Sequence, residues 1–331
     1  MAVNKPLAPG TLDLSIIIVT WNSKNYIGPC LESVYAHPIN ASFEVLLVDN
    51  DSHDDTVASV RRQFPQVRLI ANHANRGFAA ANNQAICLSK GNNILLLNPD
   101  TVVYPEAVNR MLEFQRKTPD AAVVGPRLLN GSGKVMESYS LFPGPRLLFR
   151  GLCTAFSASF DKLEARPFTK PEVVDWVGGA CMLIRRDVLS KVGLLDESFF
   201  IYWEEADLCW RIKERGWKTY YFPQSDVIHY QGGSIAEAAP EKLFLHGLLL
   251  EEWAASADTF LRKHYSAWIA DLFTYLLVTQ MLLALGFWGA VYALLPPKRS
   301  RALPVLRAYR QALANAVRRR GVPTQQVPSR K

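Results

Sequence analysis

Between residues 175 and 234 the chain reads DWVGGACMLIRRDVLSKVGLLDESFFIYWEEADLCWRIKERGWKTYYFPQSDVIHYQGGS. Within it Glu204, Glu205 and Asp207 crowd three carboxylates into four positions behind the aromatic run 199–203. Carboxylates this close raise one another's pKa, which tunes an acid or base toward neutral pH, and such a group can take the proton of an attacking hydroxyl. The same residues also suit a helix start, where each negative charge offsets the helix dipole by about 0.3–1 kcal/mol. Asp207 and Arg211 have the i,i+4 spacing of a surface ion pair. The cluster alone leaves both readings open, and the elements around it decide.

Those elements alternate. Residues 15–20 (SIIIVT), 43–48 (FEVLLV), 67–70 and 94–97 (ILLL) are short, apolar and without a period of two, as parallel strands buried on both faces are. Residues 25–36, 54–64 and 78–90 carry apolar side chains at helical spacing. The pattern predicts an α/β fold with right-handed crossovers and a doubly wound, mostly parallel sheet. Ligands of such sheets bind beyond the carboxyl ends of the strands. Those ends read Thr20-Trp21-Asn22, Asp49-Asn50-Asp51, residues 71–76, and Asn98-Pro99-Asp100. Turn chemistry accounts for Asn and Asp at any one of them, but four polar ends in one half-domain point to a site. The glycine-rich loops of dinucleotide and P-loop sites are absent from the sequence after the first strand, which disfavours a nicotinamide-linked oxidoreductase. Phosphate then has to be held by a metal or by side chains.

In order, SIIIVTWNSKNYIGPCLESV, EVLLVDNDSHDDT, NRGFAAANNQAI, ILLLNPDTVV and the DWVGGA…FFIYWEEADLCWR…VIHYQGG block resemble the family 2 inverting glycosyltransferases, in their bacterial rhamnosyltransferase-like branch, from about residue 14 to 234. The resemblance implies a GT-A fold and a nucleotide-sugar pocket. Thr20 and Asn22 would line it, Asp49 would hold the base, Asp51 would lie near the ribose, and Asn75, Arg76 and Gly77 would close over the donor. Asn98-Pro99-Asp100 falls on the family's D-x-D, whose last carboxylate holds Mg²⁺ or Mn²⁺ between two phosphates. Asn98 departs from it by replacing an acid with an amide.

Mg²⁺ takes few carboxylates and keeps waters and substrate phosphates, so Asp100 with a diphosphate suffices. His229, where the family often has a metal-binding His, would complete the site and suits Mn²⁺ better. Glu205 falls on the second acid of the family's pair, the usual general base, with Glu204 and Asp207 as alternatives. Trp176, Gly178 and Gly179 fall on the acceptor and donor-sugar side, where glycines let backbone approach a ligand; an ordinary strand with a buried Trp is the competing reading.

With 331 residues, 49% hydrophobic, the chain can bury one large or two modest cores. The expected divisions are a disordered lead over 1–13, a catalytic domain over 14–236, connecting helices over 237–270, an apolar segment over 271–297 and a basic tail over 298–331. The start lacks an apolar signal region. Five cysteines without C-x-x-C spacing point to a reducing, cytoplasmic setting without zinc.

Residues 298–331 hold ten Lys or Arg and no acid, and subtracting those ten from the net +7 leaves −3 for the rest. The tail has no nucleic-acid module beside it, and nucleic acid is not an expected partner. The run 272–295 is uncharged, apolar and long enough to cross about 30 Å of hydrocarbon. Arg262 and Lys263 precede it and the basic tail follows, so one span would place a basic flank outside, against the positive-inside bias; Gly286 and Gly289 would permit a hairpin instead. Anionic membrane lipid is an expected partner either way.

The combined expectation is a metal-dependent glycosyltransferase on the cytoplasmic face of a bacterial inner membrane. It would move a sugar, rhamnose first, from a nucleoside diphosphate to a polyprenyl-diphosphate-linked saccharide. The alternative is a non-catalytic nucleotide-sugar-binding protein in which Asn98 marks a decayed metal site.

Overall fold

A computed structural model describes residues 7–8, 10–142, 168–230, 242–300, 302–303, 305–307, 309–310 and 313, with the backbone alone for 242–251 and 298. Gly232, Gly233, Cys153, the tail beyond 313 and the side chains of Leu243, Leu245, Leu248 and Leu249 lie outside that description. The chain forms two compact units. One comprises Met1–Phe142, Glu164–Phe200 and Glu204–Ala238, the other Pro143–Leu163, Ile201–Trp203 and Ala239–Lys331.

The first unit begins with the expected alternation: β1 (Leu12–Thr20), α1 (Lys24–Tyr35), β2 (Phe43–Asp49), α2 (Thr56–Gln63), β3 (Arg68–Ala71), α3 (Phe78–Leu88) and β4 (Gly91–Leu97). β3, β2, β1 and β4 are adjacent and parallel, with Ile17 opposite both Leu46 and Leu96. Successive residues of β1 enter different cores: Leu14, Ile16 and Ile18 pack with Ile27 and Leu31 of α1, whereas Ile17 packs with Ala81 and Ala85 of α3. Burial on both faces is why these strands lack a period of two. β1 also starts earlier than expected. Leu12 and Asp13 belong to it rather than to a disordered lead, because Leu12 pairs with Gly91 and the Asp13 carboxylate accepts the Ser42 backbone N–H at 2.8 Å.

The remainder of the unit runs β5 (Thr101–Val103), α4 (Ala107–Lys117), β6 (Ala121–Leu129), β7 (Tyr139–Ser140), β8 (Glu172–Val174), β9 (Trp176–Val177), β10 (Cys181–Arg185), α5 (Arg186–Val192), α6 (Glu204–Glu214) and β11 (Lys218–His229). The sheet order is β3-β2-β1-β4-β10-β6-β11-β5, with β8 also on β11 and β7 paired with β9 apart. The expectation of a mostly parallel sheet holds for β1–β4 and β6–β11, while β10 runs antiparallel to β4 and β6. β10 follows β9 after three residues, and without a helical crossover nothing forces it parallel. Helices cover both faces, α1, α2 and α4 on one core and α3, α5 and α6 on the other.

Two antiparallel pairings position the site. Cys181 opposite Leu97 brings the start of β10 to the carboxyl end of β4. His229 opposite Thr101 brings the end of β11 to the residue after Asp100.

The second unit contains α7 (Lys242–His264) and α8 (Ala267–Leu294). Arg262 joins them, donating to Asp258 at 2.8 Å and to Asp271 at 2.6 Å, and Thr274 donates to Asp258 at 3.2 Å. The Trp203 ring packs against Trp253 and Phe260, with centroids 5.6 and 5.2 Å apart. α8 passes through Gly286 and Gly289 without a break, so the hairpin those residues would permit does not form. Each lone glycine costs about 1 kcal/mol but keeps its backbone donor and acceptor.

Candidate active site

At the ends of β1 and β2 short polar side chains bind one another. Thr20 Oγ1 donates to Asp49 Oδ1 at 3.0 Å, while Asp49 also accepts the Ser52 hydroxyl at 2.6 Å and its backbone N–H at 2.9 Å. Asn22 and Asp51 sit in the left-handed region at φ 51° and 67°, a conformation Asn and Asp tolerate better than most side chains. The Asn22 backbone donates to Ser52 Oγ at 2.8 Å, and its side chain accepts the His53 N–H at 2.8 Å. Thr20 and Asp49 are buried and internally satisfied, whereas the Asp51 carboxylate is partly open.

The next loop is tied to this rim by a residue the motif reading left out. Asn50 Nδ2 donates to the Gly77 carbonyl at 3.1 Å and Asn50 Oδ1 accepts Asn72 Nδ2 at 3.0 Å. Its position between two acids and its two-way amide are the signal. Asn75 Oδ1 accepts the Gly77 N–H at 2.9 Å. Gly77 has φ 81°, and a Cβ there would stand 2.5 Å from the Phe200 carbonyl oxygen. Only glycine fits, which lets the Phe78 N–H reach that oxygen at 2.8 Å. Arg76 is exposed, without a hydrogen-bond or ion-pair partner among the described residues.

At the end of β4 the Asn98 N–H donates to the Ala180 carbonyl at 2.9 Å, and the Asn98 carbonyl accepts Thr101 Oγ1 at 2.7 Å. Asp100 is buried, and its Oδ1 lies 3.3 Å from His229 Nε2, itself largely buried. The Tyr230 N–H donates to the Asp100 carbonyl at 2.9 Å. The fold thus brings together two residues 129 positions apart, both expected at a metal. Among the described residues no group of three His, Cys, Asp or Glu gathers as a complete metal cage.

Burial sorts the three acids in the first turn of α6. Asp207 is fully buried and paired through Oδ2 with Arg211 Nε at 2.9 Å, and Arg211 also donates to the carbonyls of Val192 and Leu194 at 2.7 Å each. The i,i+4 pair expected on the surface is therefore internal, and Asp207 has no solvent face for an incoming hydroxyl. Glu204 is buried too, and its pKa is held well above the ordinary 4.5, first by burial and then by the charge of Glu205. Its carboxyl shares a hydrogen bond with that of Glu205. Glu205 is half-buried, and its carboxyl carbon lies 4.0 Å from where a Cβ on Gly179 would stand. Trp176 is partly buried: its Nε1 donates to the Leu141 carbonyl at 3.2 Å and its ring packs on the core. Gly178 donates its N–H to the Ser138 carbonyl and leaves room for a Cβ. Of the three, Gly179 meets the acid cluster. The buried thiols of Cys30 and Cys209 are pushed up to about 12 by desolvation and are inert.

The model of glycosyl transferase family 2 matches residues 15–193, more than half of the chain. The chain belongs to that family. It is a transferase of the glycosyltransferase class, as the ordered motifs predict. The N-acetylglucosaminyl-diphospho-decaprenol L-rhamnosyltransferase of Mycobacterium tuberculosis is 28% identical over 279 residues, covering 77% of this chain and 86% of the relative. Rhamnosyltransferase WbbL of Escherichia coli (strain K12) is 25% identical over 222 residues, 65% of this chain and 82% of its own length. Among solved structures, the mannosyltransferase PcManGT from Pyrobaculum calidifontis, in complex with GDP-Man and Mn²⁺, superposes with a TM-score of 0.53 at 18% identity, over 97% of this chain and 92% of that one. At that identity the likeness establishes the fold, which agrees with the α/β architecture read from the sequence.

Proposed function

We infer that this glycosyltransferase moves a hexose, rhamnose first, from a nucleoside diphosphate to a lipid-linked saccharide, with inversion, at the cytoplasmic face of a membrane. The observation that carries the reading is the approach of His229 to Asp100 at the end of β4, in the same unit as Glu205. The two rhamnosyltransferases to which the chain is similar, one of them acting on a decaprenol-linked sugar, support the donor and acceptor classes.

One carboxylate and one imidazole, adjacent and mostly buried, are a donor set that fits Mn²⁺ or Mg²⁺ when diphosphate oxygens and water complete the shell. Asp100 and His229 would hold the ion, and it would neutralise the charge that builds on the departing diphosphate. Arg76, exposed beside Gly77, adds a cation for the same phosphates, and Asn98 offers an amide where a second acid would add charge. Thr20, Asn22, Asp49 and Asp51 form the nucleoside side of the pocket. There Asp49 orients Ser52 and Thr20 as well as keeping an acceptor position for the base. Asn75 and Gly77 fix the loop over the donor.

Glu205 takes the proton of the acceptor hydroxyl. Of the three acids in the first turn of α6 it is the one that is not fully buried. Glu204, kept protonated by burial, donates its hydrogen bond to Glu205 and adds no second charge beside the base. Gly179 leaves room on the acceptor side.

The test is Asp100→Ala, with calorimetric binding of deoxythymidine-diphosphate rhamnose measured with and without Mn²⁺. Losing an outer partner of a metal ligand costs about 10–100-fold in affinity, and loss of a ligand itself should cost at least as much in the Mn²⁺-dependent part. Unchanged Mn²⁺-dependent affinity in a folded variant removes the metal assignment.

A further inference from the structure

We propose that α8 lies in the plane of an anionic bilayer as a one-sided, monotopic insert with both ends on the same side of the membrane. This refines the membrane part of the proposed function and does not depend on its chemistry.

Length and composition allow α8 to cross: Ala267–Leu294 has 28 residues and a mean hydropathy of 1.7 in its most apolar window, of which 11% is buried. The distribution of that exposure argues otherwise. At 100° per residue, Trp268, Leu272, Tyr275, Leu282, Leu283 and Phe287 occupy one side of the helix and are all exposed. Ala270, Phe273, Met281 and Ala284 occupy the opposite side and are buried within the protein. A helix crossing alone would meet lipid all round, whereas this one presents one main apolar stripe, with Tyr292 alone among its exposed large apolar side chains on the other side.

The start of α8 also carries charge, exposed at the edge of the stripe. Arg262 of α7 is paired with Asp258 and with Asp271 of α8, and Thr274, three residues into the uncharged run, donates to Asp258. Were α8 to cross, those ion pairs and Glu252, two turns further along α7, would be carried toward hydrocarbon, where ionised groups are strongly disfavoured. In the plane of the interface the same charges stay at the level of headgroups and water.

Both flanks agree with this. Lys263 is exposed before α8, and Arg299, Arg307 and Arg310 are exposed after it. Basic residues are retained on the cytoplasmic side and attracted by anionic lipid. A crossing separates the two basic flanks, and an in-plane helix keeps both on the attractive surface. Trp268 and Tyr275 at the start of the stripe are the side chains that favour the headgroup level.

The experiment reconstitutes the full chain into sealed vesicles of phosphatidylcholine and phosphatidylglycerol, labelled with a membrane-impermeant maleimide. With Cys153 replaced by Ser, Cys87, exposed in the catalytic unit, reports the fraction of molecules facing outward. Ser300→Cys with both Cys87→Ser and Cys153→Ser reports the end of α8. Equal labelled fractions are expected; complementary fractions, with Ser300→Cys labelled only where Cys87 is not, overturn the proposal in favour of a crossing.

A chain that does not float with these vesicles overturns it as well, as does binding that is the same on phosphatidylcholine alone. The double variant Leu282→Glu with Leu283→Glu should lower the vesicle-bound fraction about tenfold. It should leave donor hydrolysis by the protein in solution unchanged. Equal labelling without donor turnover would refute the catalytic reading and keep this one, and turnover with complementary labelling would do the reverse.

Discussion

The two sides of the site are built by different means. One side, at the ends of β1 and β2, is a net of hydrogen bonds among Thr20, Asn22, Asp49, Asn50 and Ser52. The acid cluster at the start of α6 is set by burial: one carboxylate paired with Arg211, one with its pKa held well above the ordinary value and one partly open. Acids at adjacent positions are therefore not interchangeable. At the strand ends Asp49 keeps other partners when one hydrogen bond is lost. In the cluster, each change leaves a buried group without its compensation, at greater cost.

The largest expected effect is Glu205→Gln. The amide keeps the shape but accepts no proton, so the transfer rate should fall by roughly 10²–10⁴-fold with donor affinity unchanged. Single-turnover transfer beside calorimetric donor binding separates the two quantities. Near wild-type turnover would return the cluster to the helix-dipole reading. Next is Asp207→Ala, which leaves Arg211 as an uncompensated, largely buried charge. It should cost about 3–5 kcal/mol in urea unfolding, with transfer per folded molecule retained. A folded Asp207→Ala protein that has lost transfer would move the base there.

How much of this was legible follows from the range of the interactions. β1 to β4 and their helices were readable to within a few residues because double-sided burial writes itself into each strand as an unbroken apolar run. The reversal at β10 was not, since pairing direction depends on partners 80 residues away and leaves no local mark. The same holds for Asp100 and His229. Each looked like a strand-end residue, and their 3.3 Å approach comes from the β5–β11 pairing. For Asp207 and Arg211 the spacing was visible but the burial was not, because an i,i+4 pair has one sequence pattern on the surface and in the core. Trp176 was open between a stacking face and a core residue, and the Leu141 carbonyl that takes its N–H lies 35 positions upstream.

The smallest and most discriminating effect concerns Glu204. Its folded-state pKa is raised, by burial first and the Glu205 charge second, while in the unfolded chain it returns to about the ordinary 4.5. Below that value both states hold the proton and the group contributes nothing to the pH dependence. As pH rises past it, the unfolded chain ionises while the folded chain keeps its proton, so stability falls until the folded group also ionises. Glu204→Gln removes this term. Its unfolding free energy should match wild type in acid and exceed it at neutral pH and above, by about 1–3 kcal/mol if the gain equals the cost of a poorly compensated buried polar group. Transfer should persist, since a glutamine N–H can replace the hydrogen bond that the protonated acid gives to Glu205. Paired urea titrations across the pH range measure the difference directly. A stability loss that grows with pH would mean that Glu204 is ionised in the fold, and the division of labour between the two glutamates would then be reversed.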